Sequence, residues 1–100
     1  MLRIAIVDDE RQEREQLRQY VERYFAGQDG GAAVFLYEDG EALVREAPAG
    51  LDILFLDIQM ERLDGLSAAR QIRQYDEEVV IIFITNMAQY AIEGYSVNAL

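Results

Sequence analysis

Cysteine, histidine and lysine are all missing from this 100-residue chain. Without cysteine there is neither a disulfide framework nor a thiolate metal site, which suits a reducing interior and a cytoplasmic location. Without histidine the commonest general base is gone. Positive charge rests on nine arginines against nineteen acids, and the net charge of −10 repels nucleic-acid phosphates and anionic lipid. No direct nucleic-acid or membrane partner is therefore expected. Long apolar runs are lacking too: none approaches the length of a bilayer span, and Met1–Val7 is too short for a signal-peptide core and runs at once into acids. With no spacer, repeat or low-complexity tract, residues 1–100 read as one domain, its 51% apolar and 28% charged composition being ordinary for a globular protein.

What the chain does contain is an alternation of strand and helix signals. Leu2–Val7 is rich in β-branched residues and reads as a strand. Leu17, Tyr20, Val21, Tyr24 and Phe25 recur at intervals of three and four, the stripe of a helix that begins near Glu10 and packs these side chains into the core. Glu10 with Arg14, and Arg18 with Glu22, stand four apart on its other faces. Gly27 and the polar Gln28–Gly31 stretch end it. Ala33–Tyr37 is a second strand, and Asp39 is the N-cap of a short helix through Ala47, closed by Pro48 and Gly50. A hairpin at Asp39-Gly40 is the rival reading, disfavoured because Glu41–Ala47 does not alternate. Asp52–Leu56 and Val79–Ile84 are nearly continuous apolar runs, as strands covered on both faces should be. Leu66, Ala69 and Ile72 mark a helix between them, and Met87–Gly94 forms a fourth. The sum is β-α-β-α-β-α-β-α, a doubly wound α/β fold with a parallel sheet of order 2-1-3-4.

In such a sheet the carboxyl ends of the strands share one edge, where ligands bind. Three apolar runs end there on polar side chains: Leu2–Val7 on Asp8-Asp9-Glu10, Asp52–Leu56 on Asp57, and Val79–Ile84 on Thr85. Taken singly, each has an ordinary explanation: a solvated turn, a helix N-terminus favouring Glu10, a loop acid, a threonine after a strand. Their joint placement argues for a site. Three close carboxylates repel one another by roughly 4 kcal/mol per pair at an effective dielectric near 20, so a cation belongs among them. Oxygen donors without histidine or cysteine point to Mg²⁺. A carboxylate beside such an ion can accept a phosphoryl group, and a hydroxyl at Thr85 can hydrogen-bond it.

From Arg3 to Leu100 the chain resembles a bacterial response-regulator receiver domain, the flavodoxin- or CheY-like fold. The resemblance runs through Ile6-Val7-Asp8-Asp9-Glu10, then Leu54-Phe55-Leu56-Asp57-Ile58-Gln59-Met60 with Asp64-Gly65, then Phe83-Ile84-Thr85-Asn86. Thr85–Ala91, with Gly94-Tyr95 and Ala99-Leu100, is similar to receivers that precede LytTR-type DNA-binding domains. The resemblance implies that Asp57 accepts phosphate from a sensor histidine kinase, that Asp9 and Asp57 bind Mg²⁺ directly, Asp8 through water and Gln59 through its main-chain carbonyl, and that Thr85 moves towards the phosphoryl group. It implies a C-terminal output domain and a signalling domain in place of a conventional enzyme, with only self-catalysed phosphoryl transfer and hydrolysis.

The chain departs from that family in three places. It stops at Leu100, before the fifth strand and fifth helix of a receiver, and has no lysine to meet the phosphate. Val79–Ile84 is then expected to be an open edge prone to self-association. Glu61 stands where proline is common, loosening the loop, and Asn86 where a smaller residue is usual, narrowing access to Asp57. Two further classes are weighed: a pseudo-receiver that binds partners without being phosphorylated, and a small Mg²⁺-dependent phosphatase. The latter ranks last, because Gln59 stands where such enzymes carry a second aspartate as general acid.

Overall fold

Four short apolar strands alternate with three helices in a computed structural model that describes residues 1–28, 30–58, 60 and 63–84. The elements are β1 (Leu2–Val7), α1 (Arg11–Phe25), β2 (Ala32–Tyr37), α2 (Gly40–Glu46), β3 (Ile53–Asp57), α3 (Gly65–Arg73) and β4 (Val80–Ile84). The strands form one parallel sheet in the order β2-β1-β3-β4, the order expected. Strand ends differ from expectation by a residue: Asp52 and Val79 fall just before β3 and β4, while Asp57 closes β3. The fourth helix expected at Met87–Gly94 lies outside the described residues.

Side chains on a strand alternate between faces, and here that alternation builds two cores. Ala5 and Val7 of β1 join Leu54, Leu56 and Ile81 under α2 and α3, with Leu43, Ala68, Ala69 and Ile72 from the helices. Ile4 and Ile6 face the other way and meet Val21 of α1, with Leu17, Phe25, Ile53 and Phe55 partly buried around them. Asp39 caps α2 as expected, its Oδ1 accepting the Ala42 N–H at 2.7 Å, and the hairpin alternative is excluded. Asp64 caps α3 in the same way, accepting from Ser67 N–H at 2.9 Å.

Two expectations for α1 are corrected. Tyr20 and Tyr24 were expected in the core but are 55% and 72% exposed. The helix meets the sheet along Leu17, Val21 and Phe25, a four-residue spacing that rotates the tyrosines off the contact line; Tyr24 instead stacks edge-on against Phe25 with ring centroids 4.9 Å apart. Arg18 does pair with Glu22 at 2.6 Å, and with Glu15 as well. Arg14, in contrast, leaves Glu10 and directs its guanidinium Nη1 to the Asp8 carbonyl oxygen at 2.8 Å. Among the described residues no helix is long and apolar enough to cross a membrane.

Candidate metal centre

β1 and β3 lie side by side and in register through the Val7–Leu56 pair. One residue further, the two strands release Asp8 and Asp57 at the same level on the carboxyl edge of the sheet. Asp8, Asp9 and Asp57 each offer a carboxylate oxygen within 4.8 Å of the others. Asp8 is buried, Asp57 half-buried and Asp9 exposed, so the cluster opens to solvent on the Asp9 side. The donors are all hard oxygens, and three like charges at this spacing repel strongly without a cation. The residues therefore fit a small divalent ion such as Mg²⁺.

Asp8 is held from several directions. Its N–H donates to the Tyr37 carbonyl of β2 at 3.2 Å, and its Oδ1 accepts the Glu10 N–H at 2.9 Å, an Asx turn that leads into α1. Its carbonyl accepts from Arg14 Nη1. Asp57 is fixed through its backbone: Gly65, the first residue of α3, donates its N–H to the Ile58 carbonyl at 2.9 Å and lies against the peptide that follows Asp57. A Cβ at Gly65 would run into the Asp57 carbonyl oxygen and stand 2.8 Å from the Ile58 Cα. Only glycine allows that approach. Gly40, at the start of α2, is under the same constraint from the Leu63 carbonyl oxygen, and Leu63 itself holds a left-handed φ of 55°. Two close backbone contacts thus tether the loop between β3 and α3.

Glu13 is a neighbour that the motif reading missed. Its carboxyl is held above the ordinary glutamate value, chiefly by the negative charge of Asp8, then by desolvation, by Glu10, by a hydrogen bond to Asp8 and by Asp9. The signal available in the sequence was its position three residues after Glu10 and four after Asp9, which on a first helical turn brings like charges together. Of the remaining expected site residues, Gln59 and Thr85 lie outside the described residues, as do Glu61 and Asn86. Ile84, which Thr85 follows in sequence, is level with Asp57 across the β3–β4 pair.

Sheet order, helices on both faces and the acidic edge together define a doubly wound α/β fold with a candidate cation site, and the relatives of the chain share that fold. Residues 4–100 match the family described as response regulator receiver domain. The chain belongs to that family, a signalling domain of two-component systems and not a conventional enzyme. It is 33% identical over 100 residues to the sensory transduction protein LytT of Bacillus anthracis, covering 100% of this chain and 39% of that protein. It is 40% identical over 85 residues to the response regulator MprA of Mycobacterium avium, covering 84% of this chain and 35% of that one. The chain thus spans between a third and two-fifths of the length of these relatives. Among solved structures, the response regulator TrrA of Thermotoga maritima in complex with Mg²⁺–BeF superposes with a TM-score of 0.81 at 29% identity, over 99% of this chain and 84% of that one.

Proposed function

We propose that this receiver domain takes a phosphoryl group onto Asp57 from the phosphohistidine of a sensor histidine kinase, and that Mg²⁺ assists. The observation that carries the reading is the meeting of the Asp8, Asp9 and Asp57 carboxylates on the carboxyl edge of the sheet. The Mg²⁺–BeF complex of the TrrA relative supports the choice of ion. Asp9 and Asp57 would hold it directly, Asp8 through water, and Gln59 through its main-chain carbonyl. When bound, the ion supplies positive charge against the phosphoryl oxygens.

The chain's own residues do the rest. An Asp57 carboxylate oxygen forms a bond to phosphorus while the bond from phosphorus to the donor's imidazole nitrogen breaks, the electron pair leaving with that nitrogen. Asp8, buried and hydrogen-bonded at three atoms, holds the turn between β1 and α1 that carries Asp9. The hydroxyl of Thr85 donates to a phosphoryl oxygen. The acyl phosphate carries about −1.5 to −2 charges where the Asp57 carboxylate carried one, a net gain of about one negative charge or less, and relief of that charge drives the conformational response. The response reaches an output domain of the LytTR DNA-binding type in the longer protein, in the cytoplasm.

The test is the intact mass of the chain after incubation with acetyl phosphate, with and without Mg²⁺, beside an Asp57→Asn variant. One added phosphoryl group, on the parent alone and only with the ion, is the expected result. No addition under any condition, both to this chain and to one extended through the family's fifth strand and its lysine, favours a partner-binding module that is not phosphorylated.

A further inference from the structure

Asp9 is the member of the acidic cluster with least to hold it: it is exposed, it follows the end of β1, and it precedes the start of α1. The residues on either side of it, however, are both tied to Arg14. The Arg14 backbone N–H donates to the Glu10 carbonyl at 2.9 Å, closing the first turn of α1. Its guanidinium Nη1 reaches back and donates to the Asp8 carbonyl at 2.8 Å. A single residue therefore fastens residues 8 and 10, and with them the peptide that carries Asp9. This use of Arg14 is separate from the ordinary surface pairing that occupies Arg18 on the same helix.

We infer that Arg14 is the positioning residue of the cation site, a clamp that holds Asp9 in ligating position beside Asp8 and Asp57. The inference rests on the proposed reading of the cluster as a Mg²⁺ site. Clamping and charge act in opposite directions here, which makes the role separable. Removing a cation from beside three carboxylates makes the site more negative and, by charge alone, tightens Mg²⁺ binding. Removing a hydrogen bond that orients the ligands weakens it, typically by about 10- to 100-fold when such an outer contact is lost. The sign of the change distinguishes the two.

The experiment is calorimetric titration of Mg²⁺ into the parent chain and into Arg14→Met, Arg14→Lys and Arg18→Met variants, with the thermal midpoint of each metal-free protein measured alongside. Arg14→Met is expected to bind about 10-fold more weakly, Arg14→Lys to recover part of the loss by keeping a donor at that position, and Arg18→Met, which removes the same charge from the same helix, to bind like the parent. Arg14→Met binding as tightly as the parent, or more tightly, would overturn the clamp. So would equal losses in Arg14→Met and Arg18→Met, or a loss in Arg14→Met that follows only from unfolding at the temperature of titration. A parent that binds no Mg²⁺ would instead sink the underlying reading of the cluster.

Discussion

Asp52 and Asp57 stand at the two ends of one short strand, and the chain uses them in opposite ways. At the amino end of β3 the Asp52 carboxylate accepts the Arg3 N–H at 2.8 Å, while the Asp52 N–H donates to the Arg3 carbonyl at 2.8 Å and the Asp52 carbonyl accepts from Val80. Every one of those contacts ties a neighbouring strand to β3, and the negative charge is spent on a backbone donor. At the carboxyl end Asp57 stands with Asp8 and Asp9, where charge is concentrated instead of dispersed. The same residue type stabilises the sheet at one end and loads it at the other. Crowded ionisable groups of this kind gather at functional sites, which accords with the cation site proposed at the carboxyl end.

Gly65→Ala should break the carboxyl end most severely. In an exposed helix alanine is favoured over glycine by about 1 kcal/mol, yet here the new Cβ meets the Asp57 carbonyl and Ile58. A net loss of about 3 kcal/mol in chemical denaturation is expected, with Mg²⁺ binding lost as the Asp57 backbone shifts. A stabilised Gly65→Ala protein would show that the approach of α3 to Asp57 does not constrain the site.

Next in size is the contrast between the two aspartates. Asp57→Asn is expected to raise the stability of the metal-free protein by about 1 kcal/mol, since one of three mutually repelling charges goes, and to abolish the rise in thermal midpoint expected from Mg²⁺ in the parent. Asp52→Ala is expected to lower stability by about 1 kcal/mol through the lost hydrogen bond to Arg3 and to leave the Mg²⁺ effect intact. Equal behaviour of the two variants would erase the distinction between the ends.

The smallest expected effect is one of pH. Because the folded chain holds the Glu13 carboxyl above its unfolded value, the native state binds more protons than the unfolded state in the window between the two. Stability therefore falls as pH rises through that window, and Glu13 withdraws stability at neutral pH that returns on acidification. Urea melts of the metal-free protein across the carboxylate range should show this slope, and Glu13→Gln should flatten it.

Much of this arrangement was legible in the sequence for simple reasons. The apolar runs of β1, β3 and β4 are short and nearly continuous, Asp39 stands three residues before the N–H it caps, and the acids fall at the ends of strands that a parallel sheet must align. The failures are equally physical. A spacing of three and four residues admits a stripe wider than the line along which α1 meets the sheet, so the spacing predicts for Tyr20 and Tyr24 a core position that neither occupies. The four-residue spacing of Glu10 and Arg14 suggested an ion pair, but a main-chain carbonyl within reach competed for the guanidinium. The steric demand at Gly65 depends on how close α3 comes to β3, which local pattern does not encode.

The most direct measurement is a Mg²⁺ titration followed through the backbone amide resonances of the protein. Saturable shifts centred on Asp8, Asp9 and Asp57 are expected, with Arg3 and Asp52 at the far end of the same strands unmoved. Shifts spread over both ends of the sheet, or none that saturate, would contradict a cation site built from the carboxyl ends of β1 and β3.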